Sequence, residues 1–410
     1  MDKQSLKQQV AAWIDAHAAE QVDFLAKVVQ CPSDNPPGNC APHALMTAQL
    51  LENMQLPVER HAVPDAFAQS TGLQSAINLI VRQHFGDGPT VALNAHGDVV
   101  PPGSGWSVDP YSATIRDGWM IGRGAAVSKS DFATYTYALR ALKELGIRLR
   151  GNVELHFTYD EETGGLAGPG WLLEQGLTRP DYAVCAGFSY NVTTAHNGCL
   201  HLQVKVRGVS AHAARPETGH DALEAATRLM TALYAYRDTL KHRQSVTPGI
   251  TTPSIVIGTI NGGINTNVVP DEVTLRMDRR IIPEENPEEV EAELREVIET
   301  AMADLPGIHC DVERILLAAP FKPVGDAARL RDILCAEGCA ALGEIVTPIG
   351  VPLYSDARLY AEAGIPTVMY GAGPRTLLDA NGHRADERVP LATLPVATKA
   401  IAWMLIELLA

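Results

Sequence analysis

The sequence predicts an α/β protein: a mostly parallel-sheet domain interrupted by an inserted α+β domain of ferredoxin-like plan. Three observations carry this reading. In the first half of the chain, short apolar runs alternate with helical stretches. From about His196 the rhythm changes to strand-helix-strand-strand-helix-strand. After about Pro320 the first rhythm returns, as in ILCAEGCAALG and IPTVMYGAG.

Taken in order, the chain opens on MDKQSLKQQVAAWIDAHAAEQVDFLAKVVQ, an amphipathic helix pattern without an apolar signal core. Residues 78–81 and 90–94 read as strands, 135–145 as a helix, and 152–158 and 182–186 as further strands. LHLQVKVRG alternates as a half-exposed strand should. A helical stretch follows at 221–242, then strand patterns at 254–258 and 273–281. A second helix at 286–305 opens on Pro-Glu-Glu, an acidic first turn that the helix dipole favours, and 310–317 closes the block. The parse is 1–195 with 319–410 for the interrupted domain and 196–318 for the insertion.

Composition narrows the function. Hydrophobic residues make up 46% of the 410 and charged residues 20%, enough apolar content for a large core. A net charge of −15 repels phosphate backbones, so nucleic acid is not an expected partner. No apolar run approaches the roughly 20 residues that span a membrane. The seven cysteines are odd in number and lack zinc-finger spacing, which fits reduced thiols in a cytoplasmic protein.

Four loci place polar groups just past the carboxyl ends of strands, the rim where open parallel sheets bind ligands. VALNAHGDVV runs into His96, with Asp98 two residues on. ELHFTYDEETGG runs into Asp160, Glu161 and Glu162. IPTVMYGAGP leads through a Gly-rich turn to His383, and GWMIGRGAAVSKSD turns into a helix. Singly, each is ordinary: a histidine after a strand is more often packed than ligating, and an acidic triplet is more often a solvated turn. Together they form a hydrolytic set. Two imidazoles and a carboxylate hold a divalent cation, and an adjacent carboxylate serves as general base toward water.

These segments resemble the metallopeptidase and amidohydrolase family that includes acetylornithine deacetylase, succinyl-diaminopimelate desuccinylase, aminoacylase and carboxypeptidase G. The likeness runs from CPSDNPPGN through HGDVVPPGSGWSVDPYSATIRDGWMIGRGA, YDEETGG, GVSAHAARPETGHDA, INGGINTNVVPDE, LRMDRRIIPEEN and SDARLYAEAGIPTVMYG to GHRADERV. It implies a catalytic domain and an inserted lid that is also the dimerisation surface. His96, Glu162 and His383 would bind metal, Asp98 would hold the His96 imidazole, and Glu161 would be the general base. His212 would stabilise the oxyanion from the partner subunit, Asn267 would bind or polarise substrate, and Arg280 would grip a substrate carboxylate. Arg279 and Arg280 are neighbours on a strand pattern and point to opposite faces, so only one can meet the substrate. The implied reaction is amide hydrolysis in a small N-acyl amino acid or dipeptide-like substrate. The implied cofactor is zinc, with manganese or cobalt as alternatives.

The likeness breaks at two positions. The family carries a metal-bridging aspartate after GRGA, where Val127 stands here, and an acidic ligand after the Pro-Asp-Tyr strand, where Phe188 stands. Neither side chain coordinates metal, so an ordinary two-metal site is excluded. Three arrangements remain. One ion is shared by His96, Glu162 and His383; or Asp131, Asp160, His196 or Cys185 substitutes for a lost ligand; or the chain is inactive and only binds a small carboxylate. Asp131 also reads as a first-turn helix acid, and Ser355 and Asp356 as a backbone turn lining the site.

Overall fold

In the computed structural model, which describes residues 2–410, the apolar runs of the first half pair into an eight-stranded sheet. Its order is Val58–Ala62, Ile77–His84, Asn152–Thr158, Thr90–His96, Tyr182–Cys185, Thr367–Met369, Asn191–His196, Thr347–Val351. The sheet is mixed rather than mostly parallel. Thr90–His96 runs parallel to both Asn152–Thr158 and Tyr182–Cys185, and Thr367–Met369 runs parallel to Tyr182–Cys185. Ile77–His84 is antiparallel to both its neighbours, and Asn191–His196 is antiparallel to Thr367–Met369. Connection length explains the reversals. Ile77–His84 and Tyr182–Cys185 are followed, after only residues 85–89 and 186–190, by strands one place beyond their immediate neighbours in the sheet. So short a link returns the chain in the opposite direction, whereas a parallel return needs a crossover of about a dozen residues or more.

The chain divides into two compact units. The first runs to Thr194 and includes Pro323–Ile349 and Ser355–Ala410; the second comprises Ala195–Lys322 and Gly350–Tyr354. Each has its own apolar core.

In the first unit, the helix Lys129–Glu144 packs against Thr393–Leu409 and Ala18–Gln30 and is buried along most of its length. It begins before the apolar period at 135, because its first turn buries polar residues, Lys129, Ser130 and Asp131. Burial holds the Lys129 amine down at about 8, and its Nζ donates to the Cys31 carbonyl at 3.0 Å. A small separate sheet joins Thr114–Arg116, Trp119–Ile121 and Arg388–Pro390. Among the described residues, no disulfide joins any of the seven cysteines. Among the described residues, no helix is long and apolar enough to cross a membrane.

The second unit holds a four-stranded antiparallel sheet ordered Ser254–Gly262, Glu272–Ile281, Gly198–Arg207, His309–Ala318. Ala222–Leu240 and Pro287–Met302 share its core. Both helices start where the sequence caps them. Asp221 accepts from the Leu223 and Glu224 amides, and Asn286 accepts from Glu288 and Glu289 with Pro287 in the first turn.

A polar chain crosses the first unit's sheet. Glu154 pairs with Arg82 and accepts from Thr178 Oγ1 at 2.6 Å. His156 Nε2 lies 2.8 Å from Glu154 Oε2, and His156 Nδ1 lies 2.8 Å from the Tyr360 hydroxyl. Burial opposes the Glu154 charge, but His156, Thr178 and Arg82 hold the carboxyl down at about 2 against an ordinary 4.5. A depressed carboxyl stabilises the fold above its unfolded pKa and loses that contribution as pH falls through the folded value. Glu154→Gln is therefore expected to cost about 1–3 kcal/mol at neutral pH. In denaturant titrations it should also flatten the loss of stability between pH 4.5 and about 2.

Candidate metal centre

His96 ends the apolar strand Thr90–His96, and Ser128 fixes that end: its Oγ lies 3.0 Å from the His96 amide and donates to the His96 carbonyl at 3.1 Å. Gly97 is required next, since a Cβ there would sit 2.4 Å from the Tyr159 ring. Asp98 then turns inward and is fully buried. Its carboxylate accepts from Asn35 Nδ2 at 3.0 Å, the Glu161 amide at 3.3 Å and the Glu162 amide at 3.2 Å. It also faces His96 Nδ1, with Oδ1 at 3.4 Å and the Asp98 carbonyl at 2.9 Å. One aspartate thus ties the end of Thr90–His96 to the acidic turn that follows Asn152–Thr158.

The opposite nitrogen of His96 faces the acids. Nε2 lies 3.8 Å from Glu161 Oε2, and donor atoms of His96, Glu161 and Glu162 all lie within 4.8 Å of one another. His383 joins through Glu162, with Nε2 3.4 Å from Oε1, and its side chain is half exposed. The residues expected from sequence to meet in the first unit therefore do so, with one difference. The tightest cluster is His96, Glu161 and Glu162, and His383 stands at its edge.

Charge is crowded here. Burial opposes the His96 charge, but Glu161, Asp98 and Glu162 raise its pKa well above 6.5. Burial pushes Glu161 well above the carboxylate range, with His96 opposing and Glu162, Asp356 and Asp98 adding to it. The hydrogen bond to Glu162 raises His383. Burial also lifts Asp356 to about 7.

At the two departures the structure places hydrocarbon. Val127 and Phe188 are half buried and pack against the first unit's core. The Phe188 ring fills the space a Cβ at Gly373 would need, 2.1 Å away. The turn at Val127 is held by Glu387, whose Oε1 accepts from the Ala126 and Val127 amides at 3.2 and 3.1 Å. Its Oε2 pairs with buried Arg123 at 2.6 Å.

Of the substitute ligands considered from sequence, Asp131 and Asp160 are engaged by backbone amides. Asp131 is fully buried; it accepts from the Ala372 and Gly187 amides at 2.8 and 3.1 Å, and burial pushes it to about 8. Asp160 accepts from the Ala167 and Gly168 amides at 2.6 and 3.0 Å. Burial raises the Cys185 thiol far above its ordinary range. His196 belongs to the second unit, where its Nδ1 lies 2.8 Å from the Asn197 carbonyl. Sequence reasoning missed Ser128 and the roles of Asn35, Arg123 and Glu387. It took Asp356 for part of a backbone turn, although the side chain is buried and its Oδ2 has no hydrogen-bond partner.

His212, Asn267 and Arg280 lie in the second unit. Exposed His212 and Asn267 sit on adjoining loops, joined by the Ala213 amide donating to the Asn267 carbonyl at 3.0 Å. The Ala214 amide donates to His212 Nδ1. Arg279 is buried and paired with Glu285 at 2.6 Å. Arg280 is the outward member, 3.0 Å from Asp278 and beside the Tyr354 ring.

A family model for peptidase family M20/M25/M40 matches residues 92–407. The chain belongs to this family. Among M20/M25/M40 relatives, succinyl-diaminopimelate desuccinylase of Acidiphilium cryptum is 29% identical over 327 residues, spanning 77% of this chain and 82% of that protein. Acetylornithine deacetylase of Proteus mirabilis is 28% identical over 367 residues, 88% of each chain. A tripeptidase of Staphylococcus aureus shares the fold, with a TM-score of 0.73 at 22% identity over 95% of this chain and 98% of that one. So does the YXEP protein of Bacillus subtilis, described as a dinuclear metal-binding peptidase of the M20 family. Its TM-score is 0.67 at 17% identity over 96% and 99% of the two chains. The chain is an M20 hydrolase of amide bonds, and the family is metal-dependent.

The residues present fit a divalent cation: an imidazole and two carboxylates converge, with donor atoms of His96, Glu161 and Glu162 within 4.8 Å of one another. Raised imidazoles mean that a cation must displace protons. Adding Zn²⁺ to weakly buffered metal-free protein at pH 7 should release protons, and the apparent affinity should rise at least tenfold from pH 6 to pH 8. Calorimetry in buffers of different ionisation enthalpy measures both.

Proposed function

We propose that this M20 enzyme hydrolyses the amide bond of a small N-acyl amino acid or dipeptide-like carboxylate at a reduced centre. One divalent ion, zinc first and manganese or cobalt as alternatives, would be held by His96 and Glu162 with His383. The carrying observation is the convergence of His96, Glu161 and Glu162 within 4.8 Å at the carboxyl ends of parallel strands. The apolar side chains of Val127 and Phe188, and the engagement of Asp131 and Asp160 with backbone amides, support one ion over two.

A bound divalent cation supplies Lewis acidity that lowers the pKa of water toward neutrality. Glu161 takes the proton of the attacking water and returns it to the leaving amine. Its high proton affinity in this buried, acid-crowded position suits both halves of that task. Asp98 fixes the His96 ring so that Nε2 faces the acids. By the family resemblance, His212 would donate to the developing oxyanion in the partner subunit's site, Asn267 would bind or polarise the substrate, and Arg280 would grip its carboxylate. Arg280 suits that role because Arg279 is consumed by its buried pair with Glu285. Glu161→Gln should lower kcat by about 10²–10⁴ while leaving substrate affinity near wild type. Steady-state kinetics and equilibrium binding on protein carrying about one metal per chain test this. Wild-type protein that binds ligand and turns nothing over would instead assign a binding role.

The second unit would also serve as lid and homodimer surface. One of its two edge strands, Ser254–Gly262, has a single neighbour in the sheet and exposes Val256 and Ile260. Edges of this kind pair with another chain unless blocked. Ile260→Lys on this strand should shift the protein from dimer to monomer in sedimentation velocity. A cytoplasmic setting fits seven cysteines without a disulfide among the described residues.

A further inference from the structure

His383 stands on a turn that does not hold itself. Asn381, His383 and Asp386 all have left-handed backbone, with φ of +49°, +62° and +56°. None is glycine, and such residues keep that conformation only where the surroundings fix it.

The contacts that fix it are made by the residues around His383. The Asp386 carboxylate accepts from the Ser107 amide at 2.9 Å and the Ser107 hydroxyl at 3.1 Å. Asn381 Nδ2 donates to the Asp386 carbonyl at 3.2 Å, and the Gly122 amide donates to the Glu387 carbonyl at 2.8 Å. The fully buried Glu387 carboxylate reaches the facing turn: Oε1 accepts from the Ala126 and Val127 amides at 3.2 and 3.1 Å, and Oε2 pairs with Arg123 at 2.6 Å. Arg123 is itself held, donating to the Pro102 carbonyl at 3.3 Å with its guanidinium 5.2 Å from the Trp106 ring centroid.

The facing turn leads directly to the other imidazole. Ser128 follows Val127, and its Oγ contacts both the amide and the carbonyl of His96 at 3.0 and 3.1 Å. An unbroken run of contacts therefore joins the His383 turn to His96 through Glu387, the amides of Ala126 and Val127, and Ser128. The two rings meet neighbouring acids: His96 Nε2 lies 3.8 Å from Glu161, and His383 Nε2 lies 3.4 Å from Glu162. Val127 brings no ligand to this turn, so what the turn gives the centre is the place of its backbone.

We propose that Glu387 is a positioning residue that sets the span between His96 and His383, with Arg123 keeping its carboxylate aimed at the turn. The proposal rests on the reduced-centre reading, in which both imidazoles reach one ion. Zinc holds nitrogen ligands at about 2.0–2.1 Å, so rings that drift apart cannot both bind it.

Glu387→Gln keeps the shape and removes the charge. The measurement is Zn²⁺ affinity by calorimetry for wild type, Glu387→Gln, His383→Ala and the double variant. Groups that orient a metal ligand are worth about 10–100-fold in affinity, so Glu387→Gln should bind Zn²⁺ at least about tenfold more weakly. With His383→Ala there is no span to set, so adding Glu387→Gln should change affinity by no more than about twofold. The visible spectrum of the Co²⁺-loaded Glu387→Gln protein should move toward that of His383→Ala. A merely structural Glu387 would lower the Tm of metal-free protein and leave Zn²⁺ affinity and the Co²⁺ spectrum as in wild type; that result overturns the proposal. So does a loss as large in the His383→Ala background as in wild type. If Glu387→Gln does not fold, Glu387→Asp keeps a charge for Arg123, shortens the reach to the turn and carries the same comparison. Wild-type protein that takes up no Zn²⁺, or His383→Ala that binds it as tightly as wild type, overturns the reduced-centre reading and this proposal with it. Weak binding by His383→Ala with unchanged binding by Glu387→Gln overturns the proposal alone.

Discussion

The buried carboxylate of Asp98 is the constraint on which the centre depends. It gathers Asn35, His96 and the amides of Glu161 and Glu162 onto two oxygens, and so joins the ends of two parallel strands. Once those ends are joined, Glu161 and Glu162 are held close together with little exposure, side chains 11% and 6%. Their charges must be met by protons on His96 and His383 or by a metal ion. The sheet, the Ser128 clasp on His96 and the close contact at Gly97 all serve to hold that crowding in place.

The sequence made the central strands legible because each is a continuous apolar run, the pattern of strands buried on both faces. It also made His96, Asp98, Glu161, Glu162 and His383 legible, since each follows such a run or a Gly-rich turn. The reversals at Ile77–His84 and Asn191–His196 were harder to see. Strand direction is set by connection length and by which neighbour is available, and apolar pattern is silent on both. The start of the helix at Lys129 was hidden because its first turn buries polar groups. Arg123 and Glu387 are separated by most of the chain, so nothing local announces their pair. Asp356 was visible within SDARL, but only burial and an unpartnered oxygen distinguish it from a turn residue.

The two adjacent arginines of the second unit show the same rule in another form. Strand alternation states that they face opposite ways but not which way is inward. Packing decides it: Arg279 lies fully buried against Glu285 and Tyr236, and Arg280 faces out beside Asp278 and Tyr354. Asp278 also lies 3.2 Å from His201 Nε2, so the outward guanidinium already has an anionic neighbour that a substrate carboxylate would have to displace or share. Affinity for a carboxylate at Arg280 is then a difference between two pairings rather than the full strength of one.

Val127 and Phe188 have a consequence for electroneutrality. At the positions where the family resemblance calls for two acidic ligands, these side chains carry no charge. Two carboxylates hold two negative charges, which is the charge of one divalent ion. A centre that loses both acids and one ion keeps the same net charge as a centre that retains all three. The substitutions therefore need no compensating change in the remaining acids, and the strand ends that carry them can stay as the fold already holds them.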